Sequence, residues 1–547
     1  MPGLRCGRRQ AAELPEEPSV TQSGLTGSMD GQAEIIAAIE GGAATGESRP
    51  LKRLDTHMSR VFLNSTRAYK LKRSVRHAFC DMTSLEARRQ ACEAEFAVNQ
   101  ALAPDLYEAV LPVVRGPDGA IRIGGEGEVA DYVVSMQRFA DGALLRDMAD
   151  AGRLEADIVL QAVTAVAAFQ AGQPPDRKVG HAADYQRIIS GLRRTEAAGA
   201  GGLGLTPASD ILFGALEREL TRISPLVEAR RRSGWVRRGH GDLHLGNICI
   251  FRGQVTPFDA LEFDPALATA DVIYDIAFLL MDLCAGGLDD LANRAMNHYW
   301  DILVQAEDAL ALLPFFMALR AAVRMAVSVE AGALADAARY RSLGLELLHR
   351  RRPILLAIGG LSGAGKSTLA KAVAADLPGA CGARVLRTDA LRRTEARIGV
   401  GERLGGEAYR HQGRARIYRL LAERAREALL AHTSVVADGT FQEDTARAAI
   451  EGAARDVAFL AIWLDVPAQT RIVRVAQRQG DISDATPEIA LQQVEPATLG
   501  ESWQRIDACG ATEALAEVRR RLAAPPGPGP AGDRGSARPA PEDGVTA

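Results

Sequence analysis

Three oxygen-bearing side chains raise the first chemical question. Asp242, Asn247 and Asp259 lie in one run, HGDLHLGNICIFRGQVTPFDALEFD, from His240 to Asp264, with Asn247 five residues and Asp259 seventeen residues beyond Asp242. Phosphoryl transfer needs an oriented hydroxyl and metal ions bridging the nucleotide phosphates, so its catalysis is chiefly positioning and charge neutralisation. An Asp that accepts the hydroxyl proton, an Asn five residues on that helps hold Mg2+, and a second Asp returned to the metal by a hairpin would meet that need. The intervening ICIFRGQVTPFD reads as strand, Arg-Gly turn, strand, which folds Asp259 back towards Asp242. An ordinary acidic turn between two strands is the plainer alternative, but it leaves the joint spacing of the three residues unexplained.

A second phosphate-handling pattern begins near Pro353. ILLAIGG is a short apolar strand, GLSGAGKST follows at once, and LAKAVAADL continues as a helix. Gly360, then four residues, then Gly365, Lys366 and Ser367 form a Walker A loop in the strand-to-helix context it requires. The backbone N–H groups of Gly360, Ser362, Gly363, Ala364, Gly365 and Thr368 can wrap phosphate oxygens, the helix N-terminus adds a positive dipole, Lys366 reaches the β/γ oxygens and Ser367 binds Mg2+.

The elements that must position these groups follow from periodicity. THMSRVFLNSTRAYKLKRSV reads as a hairpin turning at Asn64-Ser65-Thr66, and Lys70 and Lys72 share a parity, so both point to one face. A solvated basic edge strand is the bland reading of that pair. A helix is expected from Leu85 to Leu102; of its Glu93 and Glu95, Glu95 has Val98 and Leu102 on its face and is the better partner for a strand lysine. From Leu144 to Arg350 the pattern is mostly helical, with VIYDIAFLLMDL and LLPFFMALRAAVRMAV as core faces. Beyond the Walker loop, ARVLRTD, SVVADGTF and VAFLAIWLDV alternate with helical stretches, which predicts a parallel α/β sheet with Asp389 and Asp438 at the carboxyl ends of strands, where ligands sit. Asp438 could hold a metal or a metal-bound water, or could cap the following helix.

HGDLHLGN followed by FDALEFD resembles the aminoglycoside phosphotransferase and choline kinase branch of the protein-kinase-like fold, with His-Gly-Asp in place of His-Arg-Asp and Phe-Asp-Ala in place of Asp-Phe-Gly. The resemblance implies Asp242 as catalytic base, Asn247 and Asp259 as metal ligands, Lys70, in Ala-Tyr-Lys, as the phosphate lysine paired with Glu95, and adenine bonded to backbone near Met136 to Phe139. No glycine-rich flap precedes Lys70, a departure from protein kinases. Asp271 and Asp275 resemble structural Asp residues of that family, bonding backbone around the catalytic loop, and His240 reads as a loop-fixing side chain. In the second unit, Asp389 with Arg392 resembles the Asp-x-x-Arg element of P-loop kinases, where the Asp can activate the acceptor hydroxyl. RIVRVAQRQGDISDA resembles their lid, with Arg478, and Arg474 after it, to cover the transferring phosphate; an amphipathic helix with a solvated basic face is the alternative. The whole resembles bacterial fusions of an aminoglycoside phosphotransferase domain with an AAA-family or gluconate-kinase-like ATP-binding domain.

The expected organisation is therefore a disordered segment over 1–30, a bilobal α+β unit over 31–350 (small lobe to about 140, helical lobe from about 141), an α/β P-loop unit over 351–523 and a disordered tail over 524–547; Met29 is a candidate start. With 547 residues, 47% hydrophobic and 24% charged, and a net charge of −4, the chain can bury real cores and shows no pull towards nucleic acid or anionic membrane. Seven scattered cysteines in no metal-ligand spacing suit a reducing, cytoplasmic setting. The longest apolar stretches are interrupted by Asp275 and Asp282 and by Arg320 and Arg324, short of an uninterrupted span of about 20 residues. The expected activity is an enzyme with two ATP and Mg2+ sites that phosphorylates a small-molecule hydroxyl acceptor; the rival expectation is a ligand-sensing unit coupled to a P-loop ATPase switch. The sequence carries no signal for an oligomeric state.

Overall fold

The structure is a computed structural model that describes residues 30–56, 58–77, 80–197, 206–262, 268–396, 411–477 and 486–524. Its first sheet has six strands in the order Lys52–Asp55, Ser59–Leu63, Arg67–Lys72, Glu128–Gln137, Tyr107–Arg115, Ile121–Ile123, all antiparallel. Arg67–Lys72 lies inside this sheet, with Lys70 opposite Val61 on one side and Val134 on the other, and is buried along most of its length. Its lysines therefore face packed protein instead of solvent. The helix Leu85–Leu102, capped by Ser84 Oγ accepting from the Ala87 N–H at 3.1 Å, lies against the sheet with Glu95 and Asn99 fully buried.

The helical lobe is built around one segment. Val272–Ala285 is buried at every position from Val272 to Leu283, and in this apolar helix only Asp275 and Asp282 are charged. They are seven residues apart, two turns of helix, and so lie on one face. Around it pack Ala156–Gly172, Asp289–Ile302, Leu313–Glu330 and Leu334–Leu348. The run Glu307–Glu330 is long and apolar enough by composition to cross a membrane, yet 72% of its apolar window is buried against other helices, the position of a core element.

The second unit carries a five-stranded sheet in the order Arg384–Arg387, Val435–Asp438, Ile354–Gly359, Ala458–Asp465, Trp503–Asp507, parallel throughout. Strand order reverses around Ile354–Gly359, so a crevice opens at its carboxyl end, where the Walker loop begins. The chain is thus an α+β protein-kinase-like bilobal unit followed by an α/β P-loop unit.

The units share a core. One continuous apolar cluster includes Phe278, Leu313 and Met317 of the helical lobe and Leu355, Leu386 and Ile417 of the P-loop unit. The exposed edge that Arg384–Arg387 would otherwise present is covered by the helix Asp289–Ile302. Asn297 Oδ1 accepts from the Val385 N–H at 2.7 Å and Asn297 Nδ2 donates to Ala383 O at 3.0 Å, the two bonds a neighbouring strand would make, while Asn293 Nδ2 donates to Cys381 O and Ala383 O. Arg384 is buried between the units on Glu307 (3.1 Å) and Asp301 (2.8 Å).

Candidate active sites

The loop from His240 to Asn247 is held by the two helix carboxylates. Asp275 accepts from the His240 and Gly241 N–H groups, each at 2.9 Å, and Asp282 accepts from the Leu245 N–H at 2.9 Å. His240 Nε2 bonds Phe258 O at 2.8 Å and Phe258 N–H donates to Asn247 O at 2.9 Å, so the residue before Asp259 is tied to both ends of the loop. The Ile248–Phe251 and Gln254–Pro257 hairpin turns at Arg252 and Gly253, both with positive φ (50° and 78°), and delivers Asp259 at φ 61°. A non-glycine residue in the left-handed region marks strain kept for a purpose.

Asn247 Nδ2 donates to Asp242 O and to Asp242 Oδ2, both at 3.0 Å, and its amide oxygen has no hydrogen bond among the described residues. Gly246 N–H donates to His244 Nδ1 at 3.1 Å, which leaves the ring proton on Nε2, 3.5 Å from Asp242 Oδ2. The Asp242 side chain is 43% exposed; against the desolvation of its site, the hydrogen bond from His244, with the Arg320 charge beyond, holds its carboxyl well below the usual carboxylate range. Burial lowers His240, which is held as a neutral ring between two backbone groups.

Across from this loop stands a buried charge cage. Lys70 Nζ pairs with Glu95 Oε1 at 2.9 Å and with Asp259; Lys72 Nζ pairs with Glu95 Oε2 at 2.5 Å and with Glu262. Glu93 is turned to the surface and pairs with Arg89. Burial disfavours each charge, yet Asp259 and Glu95 raise Lys70 well above its ordinary value, and the two ammoniums pull Glu95 down. Two cations face three carboxylates. Burial raises the Glu262 carboxyl, and the hard oxygens on Asp259 and Asn247 fit a divalent cation such as Mg2+. Two groups here escaped the sequence reading. Asn99 clamps the residue after Asp259, accepting from the Ala260 N–H at 2.8 Å, and the Tyr107 hydroxyl accepts from the Asp259 N–H at 3.2 Å. Asn99 lies one turn beyond Glu95 on the same helix face, a spacing that could have pointed to it.

In the P-loop unit Gly360, Gly363 and Gly365 have φ of 143°, 85° and 91°. A Cβ at Gly363 would lie 2.4 Å from Arg471 O, so close approach of the lid helix Ala468–Ala476 adds a second reason for glycine there. Lys366 Nζ donates to Leu361 O at 3.1 Å, Ser362 N–H donates to Gln493 Oε1 at 2.7 Å, and Thr368 is exposed in the first helical turn. Ser367 Oγ donates to Asp438 Oδ2 at 2.6 Å, the pair expected to hold a metal. Asp438 does not cap the next helix, Asp444–Ala453, whose N-cap position is Glu443. Arg387, absent from the sequence reading, sits on both members of that pair: Nη2 donates to Ser367 Oγ at 3.0 Å and Nε to Asp438 Oδ2 at 3.3 Å. Its guanidinium lies where a hydroxyl and a carboxylate oxygen converge, the donor set that suits Mg2+.

Asp389 opens the helix Thr388–Ala396 and accepts from Arg392 Nη1 at 2.6 Å. Arg474 donates to Ala508 O and Cys509 O just beyond strand Trp503–Asp507, and its Nη1 lies 3.9 Å from where a Cβ on the Walker residue Gly365 would stand, so it is tied to that loop beside the Walker loop. Arg478 lies outside the described residues, as do Asp264 and both expected disordered tails except the helical Asp30 and residue 524.

Comparison with known proteins agrees with this division. The AAA domain family model matches residues 355–496. Among solved structures, an aminoglycoside phosphotransferase, APH(4)-Ia, is similar at 16% identity over 56% of this chain and 96% of its own, TM-score 0.36. A gluconokinase from Sinorhizobium meliloti 1021 is similar at 20% identity over 32% of this chain and 98% of its own, TM-score 0.23. By class, the chain joins a protein-kinase-like bilobal fold to a P-loop unit that the AAA domain family model matches. It belongs to the family of the Mycobacterium tuberculosis H37Rv protein Rv2004c, with which it is 30% identical over 482 residues, 84% of this chain and 92% of the relative.

Proposed function

We propose that this chain is an ATP- and Mg2+-dependent phosphotransferase with two nucleotide sites, each transferring a γ-phosphate to a hydroxyl of a small molecule. The observation that carries the reading is Asp242: a carboxylate 43% exposed and so open to an incoming hydroxyl, kept ionised, oriented by Asn247, and set beside a lysine cage that includes Asp259.

In the first unit Asp242 accepts the hydrogen bond of the acceptor hydroxyl and aligns it. A carboxylate so acidic is a weak proton acceptor, so the proton passes to it late, as the bond to phosphorus forms. Lys70, oriented by Glu95, holds nucleotide phosphates, and Asn247 and Asp259 hold the metal. Bound Mg2+ would neutralise phosphate charge there and, on Ser367 and Asp438, in the second unit. In that unit Lys366 and the loop N–H groups of residues 360–368 cradle phosphate, Asp389 orients the acceptor, and Arg478 with Arg474 covers the transferring group. Cys92, Cys249, Cys284, Cys381 and Cys509 are free thiols, which supports a cytoplasmic setting.

The test is ATP turnover by the full chain across sugars, sugar acids, amino alcohols and aminoglycosides, with phosphorylated product detected by mass. Asp242→Ala should lower one product by about 10²–10⁴-fold, and Lys366→Ala should remove a different one. Full turnover of every product in both variants would sink the assignment. ATP hydrolysis without product, lost only in Lys366→Ala, would favour a P-loop switch instead.

A further inference from the structure

The wall beside Asp242 that does not belong to the lysine cage is built by the helix Leu313–Glu330. Arg320 and Arg324 stand one turn apart on it, and both interrupt an otherwise apolar sequence. Arg320 is buried, its guanidinium 3.8 Å above the Tyr274 ring and 4.8 Å from the Phe278 ring, with Nε donating to Tyr274 O at 3.2 Å. Phe278 is also in ring contact with His244, at 5.4 Å, so His244, Phe278 and Arg320 form one surface next to the Asp242 carboxylate. Arg324 lies 5.6 Å from the Tyr340 ring, and its Nε is buried with no hydrogen-bond partner. After burial, the Tyr340 hydroxyl acts most on its charge, followed by the carboxylates of Asp282 and Asp242.

The neighbouring charges are already matched. Arg146 pairs with Asp282, Arg339 pairs with Asp336 at 3.1 Å, and Asp275 is engaged by the loop N–H groups and by Gln170 Nε2. Among the described residues Arg320 and Arg324 are left with Asp242 alone between them, and neither is in an ion pair. Arg324 is only partly buried, stands in no ion pair among the described residues and lies one helical turn from Arg320 on the wall beside Asp242, so its terminal nitrogens are the groups there that can take an anion. A site for a polycation would instead place carboxylates here.

Resting on the phosphotransferase reading above, we infer that the acceptor of the first unit is an anion: a small hydroxylated molecule whose carboxylate or phosphate is bound by Arg324, with the Arg320 charge behind it, so that its hydroxyl meets Asp242. Polyamine-like and quaternary ammonium acceptors are repelled by the same pair. Arg fits this task because its planar fork matches both carboxylate and phosphate oxygens.

The experiment uses the full chain with Mg2+ and saturating AMP-PNP, so that nucleotide sites are filled before any anion is added. Titration calorimetry then follows D-gluconate, D-glycerate, D-ribose 5-phosphate and D-glucose 6-phosphate against choline and kanamycin, in wild type, Arg324→Gln and Arg324→Lys. We expect saturable binding of at least one anion, weakened tenfold or more in Arg324→Gln and by less in Arg324→Lys, which keeps the charge but loses the planar fork; the fold of each variant is checked by its thermal midpoint. Whether sugar acids or sugar phosphates bind tells carboxylate from phosphate. The inference is overturned if no anion binds, if anion affinity is unchanged in Arg324→Gln, or if choline or kanamycin binds in the wild type and is indifferent to that change. With ATP in place of AMP-PNP, Arg324-dependent binding without any phosphorylated product would reject the phosphotransferase reading and leave the anion site standing.

Discussion

At the scale of single residues, the groups the sequence exposed are those whose chemistry depends on spacing. Asp242, Asn247 and Asp259, and the Walker glycines, could be read because loops and tight turns fix their separation along the chain. Asn99, Tyr107, Asp282 and Arg387 could not, because each acts across a distance of sequence that only folding closes: Asn99 reaches Ala260, 161 residues away. Arg387 yields a prediction of its own. Its guanidinium touches the Ser367 and Asp438 oxygens proposed to bind Mg2+, so a cation bound there would have to displace it. In Arg387→Gln the ratio of nucleotide affinity with Mg2+ to that without should rise about tenfold, roughly 1.4 kcal/mol. Fluorescent-nucleotide titrations with and without chelator measure it; an unchanged ratio would show that Arg387 has only a packing role. Lys72 is a second case. It holds Glu95 and Glu262 in a fully buried place, and Lys72→Ala should destabilise the fold by about 3–5 kcal/mol by leaving carboxylates unpaired, whereas Lys70→Ala keeps the Lys72–Glu95 pair and should mainly weaken nucleotide binding. Urea unfolding paired with nucleotide titration separates the two.

At the scale of elements, periodicity was an adequate guide wherever one face of an element is buried. The helix expected over Leu85–Leu102 is present with those limits, and the Arg-Gly hairpin turns where its residues demand. What periodicity could not supply is how a polar face is used. Asp275 could be read as a loop support by resemblance, but Asp282 looks like a blemish in an apolar helix; in space the two together hold the loop from His240 to Asn247. Asp282→Ala should leave the Leu245 N–H and Arg146 without their partner, costing about 1–3 kcal/mol and lowering turnover of the first unit while sparing the second. A variant with intact first-unit turnover would show that the loop does not depend on this support. The same logic applies to Asn297, whose amide makes the hydrogen bonds a missing strand would make. Asn297→Ala strands buried backbone groups and should cost about 3 kcal/mol in urea unfolding; a loss under 0.5 kcal/mol, the scale of an ordinary surface change, would refute that role.

At the scale of the whole molecule, two units recognisable separately in sequence prove to have one interior. Nothing in the spacing of motifs announces that Leu386 and Ile417 pack in the same cluster as Phe278, or that Arg384 is neutralised by Glu307 and Asp301 from the other unit. The consequence for unfolding is a single calorimetric transition with equal calorimetric and van't Hoff enthalpies; two resolved transitions would contradict a shared core. There is also a consequence for how such a chain is inherited. A strand edge sealed by the side chains of a companion becomes, once the companion is gone, an open template for other strands. A gene split near codon 350 would therefore yield a P-loop product that associates with its own copies before it can fold or act alone, so selection holds the two halves in one reading frame even where their reactions are unrelated.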